Sequence, residues 1–385
     1  MTIALAILMG AYAVTLGTLA WGIRRSPPIA LLPDDELPHA AIVVAARDEE
    51  AAIGGCLDAL SAQDYPAHRL TIVVADDHST DGTAAIVRQR AREQPEESPA
   101  VRYVRVPDPV GDLRGKAQAL HTAIESVEAE VILVTDADCA PVATWARAMA
   151  STFADERVGV TCAIARIMPR PGRWFDQIQT HDWSTWLGVV AGSAELGAPP
   201  TGMGNNMAVR RSAYDSIGGY PALPFSVTED FSLIRAIAES PAWELRFPAD
   251  AHATVHTLPA EGIAGTFRQR RRWAQGGVSG GAWVLALYAA VFVAHALPLA
   301  ALAMAPAAAA GAWAVKTLAD GALLAQVLRR QGERPRAWAL LGMEAFATLY
   351  VVTLPIVMVL RPTVRWKGRD HGGGASGDPR RNVTR

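Results

Sequence analysis

An α/β fold on a mostly parallel sheet, set between apolar segments long enough to cross a membrane, is predicted for this 385-residue sequence. Three observations predict it. Apolar runs rich in β-branched residues end abruptly in charge, and amphipathic stretches separate them, as in parallel strands covered on both faces by helices. The first 22 residues carry no charge. Beyond residue 281 long apolar runs resume.

The N-terminal stretch "MTIALAILMGAYAVTLGTLAWG" is long enough to span a bilayer. It lacks the basic start of a cleaved signal peptide, and Arg24 and Arg25 follow it directly. It therefore reads as an uncleaved anchor over 1–23, its N-terminus outside and the next domain in the cytoplasm. From 38 to 260 strand and helix alternate. "AAIVVAARDEE" is followed by an amphipathic stretch from Ala51 to Ala62, and "LTIVVADD" by a helix from Thr83 to Glu93. "VRYVRVP" reads as a third strand, "GKAQALHTAIESV" as a helix and "EVILVTDADC" as a fourth strand. Residues 261–281 form a basic, interfacial segment, and 282–361 contain three apolar runs, 282–304, 307–328 and 337–360. In the second run Lys316 and Asp320 stand four apart, so they pair on one helical face inside a bundle. Three full spans would carry the basic "RPTVRWKGR" outside, against the positive-inside rule, which makes one run a candidate for a re-entrant or interfacial element. The tail 368–385 reads as disordered, with a chance sequon at Asn382.

Bulk composition excludes several classes. A net charge of -2 and a pI near 6.5 give no reason to expect a nucleic-acid partner. Cys56, Cys139 and Cys162 lie far apart without CxxC or CxxH spacing, so neither a disulfide framework nor a structural zinc site is indicated. A hydrophobic content of 50% and a mean hydropathy of +0.14 are high, and the excess sits at the two ends. No G-x-G-x-x-G follows the first strand and no G-x-x-x-x-G-K-[ST] occurs, so hydride transfer on a dinucleotide fold and P-loop hydrolysis both fit poorly.

Chemistry concentrates at the strand ends. In parallel sheets ligands bind beyond the carboxyl ends of the strands. Asp76 and Asp77 close one strand and Asp136-Ala-Asp138 another, so these four acids are expected to line one crevice. Adjacent like charges persist only where something positive or hydrogen-bonding meets them. A hard divalent cation takes oxygen ligands, commonly one or two carboxylates with substrate phosphates and water, and would neutralise a diphosphate leaving group. Asp81-Gly-Thr after the first pair also reads as a helix cap. His252 and His256, four apart, read as core or loop histidines rather than ligands.

The order "VVADDHSTDGT", "GKAQAL", "VTDAD", "GNNMAVRR" with "GGY", "TED" and "QRRRW" resembles the membrane-integrated family 2 glycosyltransferases over residues 40–280. The resemblance implies a GT-A fold, Rossmann-like with a mostly parallel sheet, flanked by transmembrane helices. It further implies inverting transfer of a sugar from a nucleotide-sugar, a UDP-sugar by preference, to a lipid acceptor at the cytoplasmic face of the cell membrane, with Mg2+ or Mn2+ as cofactor. Asp77 resembles the acid that binds the uracil ring, with Asp76 beside it. Lys116 would lie near the nucleotide or diphosphate, Asp138 would hold the metal, and Asp136 would partner it against the donor. Asp230 resembles the general base, although a cap for the helix starting near Phe231 explains it too. Arg272 would meet the departing diphosphate, Trp273 would stack on the acceptor or anchor an interfacial helix, and Asn206 would face the acceptor pocket unless it serves a turn. Arg270 and Arg271 would meet lipid phosphates. The first-strand motif departs from the family's usual Asn-Glu, reading Asp48-Glu49 after Arg47. Two other functions are compatible with these motifs, a processive polysaccharide synthase and a catalytically silent GT-A scaffold.

Overall fold

The computed structural model describes residues 2–360 apart from 96, 110–112, 198–201, 227 and 279–281, and the backbone of 363–366 and 369–372. The first half contains α1 (Thr2–Arg25), β1 (Ala40–Ala46), α2 (Ile53–Ser61), β2 (Leu70–Asp76), α3 (Thr83–Glu93), β3 (Ala100–Arg105), α4 (Gly115–Glu125) and β4 (Val131–Asp136). Then come β5 (Cys139–Pro141), α5 (Trp145–Ser151), β6 (Val158–Cys162), β7 (Ala165–Ile167), α6 (Trp174–Glu195), β8 (Asn206–Arg210) and α7 (Arg211–Ser216). The rest is α8 (Glu229–Ala238), β9 (Glu244–Arg246), β10 (Val255–Thr257), α9 (Gly262–Val278), α10 (Ala282–Ala301), α11 (Pro306–Arg330), α12 (Ala337–Leu360), β11 (Thr363–Trp366) and β12 (Arg369–Gly372).

Seven strands form the main sheet in the order β3-β2-β1-β4-β8-β6-β9. Its neighbours pair parallel except at β8, which runs antiparallel to both β4 and β6. Alternate residues feed opposite cores, as the two-residue period of a strand requires. Val43, Val73 and Val134 pack to one side with α4, α6 and the end of α1, whereas Ile42, Val74 and Leu133 pack to the other with α2 and α5. Both faces are covered, so these strands read as continuous apolar runs. The chain turns outward on either side of β1, with β2 on one flank and β4 on the other, and this switch point opens the crevice above their carboxyl ends.

The first core continues into the helices. Leu16, Leu19 and Ile23 of α1, Leu187 and Ala191 of α6, and Leu323 and Val327 of α11 belong to the same cluster as the strand residues. Gly192 of α6 permits this approach, because a Cβ there would sit 2.7 Å from the Cβ and carbonyl oxygen of Leu19. Each of the three C-terminal apolar runs is occupied by one helix, with Pro298 inside α10 and Pro355 inside α12. Helices α1 and α12 are long and apolar enough to cross a membrane, and α10 carries a shorter apolar stretch over 285–301. Their outer faces expose Ile7, Val14, Leu341, Leu349 and Ile356. Two boundaries differ from expectation. The start of the tail is not irregular, since Arg369–Gly372 pairs antiparallel with the β-prone Thr363–Trp366, while 373–385, including Asn382, lie outside the described residues. Helix α8 starts at Glu229, two residues earlier than Phe231, with Thr228 at its cap.

The expected Lys316–Asp320 pair forms at 2.8 Å, and a second carboxylate from α12 joins it: Glu344 Oε2 lies 2.8 Å from Lys316 Nζ. Tyr12 of α1 donates to Asp320 Oδ1 at 2.7 Å, so three helices share one buried polar node. Removing the cation leaves two buried carboxylates facing each other. Lys316→Met is expected to lower unfolding stability by about 3 kcal/mol, read from thermal unfolding in detergent. An unchanged midpoint would show that the node contributes nothing to the packing.

Candidate active site

The loops after β1 and β2 are laced together. Asp48 (φ 53) and His78 (φ 61) adopt the left-handed region, where Asp and Asn are the favoured non-glycine residues. Asp48 Oδ1 accepts from Thr80 N at 2.8 Å, a bond that uses only an acceptor oxygen, so Asp serves there as well as the family's Asn. Thr83 Oγ1 accepts from Glu49 N, and Asp81 Oδ1 caps α3 by accepting from Thr83 N at 3.0 Å. The adjacent acids divide their tasks. Asp76 is buried and accepts from Ser79 N at 3.0 Å and from Tyr103 Oη at 2.8 Å, which ties it into the turn beside Asp77. Asp77 carries the ion pair of the strand end, with Arg47 Nη1 3.3 Å from its Oδ2, and His78 Nδ1 lies 3.2 Å from its Oδ1.

At the end of β4 the second acidic pair meets residues from four other elements. Lys116, at the start of α4, lies 2.6 Å from Asp136 Oδ1 and 3.2 Å from Glu229 Oε1. Burial opposes its charge, but Asp136, Glu229 and Asp230 outweigh burial and hold the ammonium well above its ordinary pKa. Burial, then the neighbouring Asp136 and Glu49, push Asp138 upward. Burial likewise raises Glu229 against the pull of Lys116. For Arg272, from α9, burial is the larger effect and lowers its pKa, while the charges of Asp136, Asp230, Glu229 and Asp138 support the guanidinium. Four carboxylates thus face two cations, and the excess negative charge suits a divalent ion. Among the described residues no three His, Cys, Asp or Glu side chains close around one point. A metal held by Asp136 and Asp138 would complete its oxygen shell from a diphosphate and water, the usual arrangement for magnesium.

Asp230 lies at the second position of α8 and does not cap it. Its Oδ2 accepts from Gly204 N at 3.0 Å and its Oδ1 from Phe231 N at 2.8 Å. A Cβ at Gly204 would collide with that carboxylate, so "GNN" supplies the one residue that lets the backbone amide reach it. Asn206 lies in the core rather than on an open surface. It is wholly buried, accepts from Trp145 Nε1 at 2.8 Å and donates to Ile164 O and Ala253 O, each at 2.8 Å. An amide with partners at three core positions is a structural tie. Glu229 is the participant missed by sequence reasoning; "TED" contained it, and a helix-start acid beside another gave no reason to prefer it.

The basic segment is helical, and its arginines differ in role. Arg270 is buried, not lipid-facing: its Nη2 pairs with Asp182 Oδ2 of α6 at 2.5 Å and its Nε with the same oxygen at 3.0 Å. Tyr350 of α12 donates to Asp182 Oδ1 at 2.9 Å and accepts from Trp186 Nε1 at 2.8 Å. The Arg270 guanidinium also covers the rings of Trp183 and Trp273, whose centroids lie 4.5 Å apart with the planes tilted by 34°. Trp273 therefore packs against α6, and Arg272 is aimed at the carboxylates by a helix pinned on its other face. His256 lies on β10 and His252 beside Thr144, and among the described residues neither bonds to these acids.

Asn206→Ala is expected to lower stability by about 3 kcal/mol, since it strands a buried donor and two carbonyls. Folded variant should retain donor turnover. Unchanged unfolding with lost turnover would instead return Asn206 to the site.

Residues 38–276 match a family model described as "Glycosyltransferase like family 2". Among curated proteins the chain is 28% identical over 244 residues to a beta-monoglucosyldiacylglycerol synthase of Nostoc sp., covering 63% of this chain and 49% of that protein. It is 25% identical over 266 residues to poly-beta-1,6-N-acetyl-D-glucosamine synthase of Staphylococcus aureus, covering 67% and 58%. The chain spans about half the length of the curated relatives it matches first. A solved structure, mannosyltransferase PcManGT from Pyrobaculum calidifontis in complex with GDP-Man and Mn2+, aligns with a TM-score of 0.57 and 26% identity over 92% of this chain and 99% of that one. The family model covers well over half of the sequence, and its span takes in every strand-end acid, Asp230 and Arg272: the chain belongs to glycosyltransferase-like family 2.

Proposed function

We propose that the protein transfers a sugar from a nucleoside-diphosphate sugar, a UDP-sugar by preference, to a hydroxyl of a lipid at the membrane face, with inversion at the anomeric carbon. One observation carries this reading. The acids of β4 and α8 converge with Lys116 and with Arg272, whose helix is pinned to the apolar bundle through Arg270 and Asp182. A diphosphate chemistry at that point lies beside the bilayer if α1, α10, α11 and α12 are inserted, as the exposed apolar flanks of α1 and α12 support. The relatives named as diacylglycerol and polysaccharide synthases support a sugar donor, and the neighbour solved with GDP-Man and Mn2+ supports a diphosphate with a divalent ion.

In this mechanism Asp77, at the β2 end, binds the base, and Arg47 holds it in place. A divalent ion, Mg2+ or Mn2+, supplies charge neutralisation at the diphosphate when held by Asp136 and Asp138. Lys116 and Arg272 share the charge that develops on the leaving oxygen as the sugar–phosphate bond breaks. Asp230 accepts the proton of the attacking hydroxyl while its oxygen bonds to the anomeric carbon. The electron pair of the broken bond leaves with the nucleoside diphosphate, and a single displacement inverts the centre. Gly204 N and Phe231 N hold the carboxylate ready for that proton.

Turnover is expected to vanish in EDTA and return with Mn2+ or Mg2+, measured as radiolabelled sugar in the lipid fraction. Asp138→Asn should weaken metal-dependent donor binding. Full transfer without metal would contradict the role of the pair. Asp230→Asn keeps one acceptor oxygen and loses one backbone bond, a cost of about 1 kcal/mol, so the variant should fold. Transfer should fall by roughly two to four orders of magnitude with donor affinity little changed. Normal transfer by the folded variant would remove Asp230 from the chemistry, and absence of transfer from the unaltered chain across a panel of UDP-sugars would favour the silent scaffold.

A further inference from the structure

A second basic site lies away from the strand ends, where α1 and α11 finish side by side. Arg330, at the end of α11, donates through Nη2 to the carbonyl oxygens of Ile23 at 2.8 Å and Arg24 at 3.2 Å, and to that of Ser26. Those of Ile23 and Arg24 belong to the last turn of α1 and that of Ser26 follows it, so the guanidinium both caps α1 and fixes the two helix ends together. The junction leaves a cleft of about 420 Å³ lined by Arg24, Ser26, Pro28, Gln326, Arg329 and Arg330. Three guanidiniums share it. Arg24 and Arg329 are exposed, and among the described residues no carboxylate lies within ion-pair distance of either. One acid, Glu195, reaches the rim by accepting from Ser26 Oγ at 2.6 Å, which leaves the cleft strongly positive.

Its depth is set by its neighbours. Trp21, half exposed one turn before Arg24, carries the Arg25 guanidinium 4.8 Å from its ring, the pairing of aromatic and basic residues typical of a membrane–water interface. Beyond the cleft the chain enters the strand domain, where Ile29 N donates to Asp250 and Leu32 N to Ser151. The cleft therefore stands at the level where apolar helix gives way to the domain that holds the acids.

We propose that this cleft binds the phosphodiester headgroup of an anionic phospholipid, as a site separate from that of the sugar acceptor. Arginine forks match phosphate oxygens two at a time, and basic pockets between helices at the cytoplasmic surface select anionic headgroups. The placement at the bilayer rests on the membrane reading of α1 and α11 given above; the chemistry of three arginines around one cleft does not. A bound anionic lipid would hold α1 and α11 at a fixed depth, and with them the core that α1 shares with the sheet.

The test uses the full chain, purified in detergent, with native mass spectrometry of retained lipid in three arms: phosphatidylglycerol, phosphatidylcholine and inorganic phosphate. The unaltered chain should retain one phosphatidylglycerol in preference to phosphatidylcholine. Arg24→Gln with Arg329→Gln should weaken that retention by roughly thirtyfold, at about one surface cation's effect for each residue. Among the described residues neither side chain forms a hydrogen bond or ion pair, so the double variant should unfold at the same temperature; the single variants give intermediate losses. Equal retention of phosphatidylglycerol by the variant, or of the two lipids by the unaltered chain, would overturn the site. Displacement of the lipid by millimolar inorganic phosphate would overturn the lipid source and leave a solute anion. Extraction of the chain without detergent would count against the membrane reading alone.

Discussion

The Asp182–Arg270 ion pair is the constraint on which the geometry of the site depends. Burying two charges is costly unless the remaining hydrogen-bonding groups are met. Here Tyr350 answers the second carboxylate oxygen and two indole rings cover the guanidinium, while Arg270 Nη1 meets no acceptor among the described residues, so the pair is only partly compensated. The pair ties α9 to α6, and Tyr350 ties α6 to α12. Because α6 also packs into the core shared by α1, α11 and the sheet, the basic helix has a fixed bearing on the strand ends. That bearing brings Arg272, two residues along the same helix, within electrostatic range of the acids.

The strand-end cluster shows the complementary logic. Asp136, Asp138, Glu229 and Asp230 repel one another, and burial worsens the repulsion, as the raised Asp138 and Glu229 show. Lys116 bridges β4 to α8 and relieves part of it. What remains is an arrangement poised for added positive charge followed by an anionic donor. Neutral replacements would be easier to bury, so the cluster reads as a site held by its surroundings rather than as a contribution to stability.

Much of the fold was legible because period and composition agree. The runs at 40–46, 70–76 and 131–136 are apolar on both faces, and the helix over Thr83–Glu93 begins and ends where its sequence signals lie. Lys316 and Asp320 were legible from spacing alone, but Glu344 was not, since the partner lies on another helix. The antiparallel β8 leaves no mark in "NMAVR" that separates it from a parallel strand. Helix α6 is rich in buried polar residues, so no apolar period announces it, and Asp182 could not be matched to Arg270 across 88 residues. The same gap misassigned Arg270 to lipid. Asn206 misled for a related reason: an asparagine beside glycine in a motif looks like turn or ligand chemistry, whereas its three partners come from segments far apart in the chain.

The most direct test of this architecture asks whether the buried pair acts on transfer through Arg272. Replacing the pair with apolar residues of similar size, Asp182→Leu with Arg270→Met, avoids an uncompensated charge and should leave a folded chain. Its transfer rate is compared with that of Arg272→Ala and with that of all three substitutions together, with unfolding monitored in the same detergent. If the pair works by holding Arg272 at the carboxylates, the losses overlap, and the triple variant is no slower than Arg272→Ala alone. Losses that multiply, in chains that unfold alike, would show that the pair and Arg272 act independently and would contradict the account.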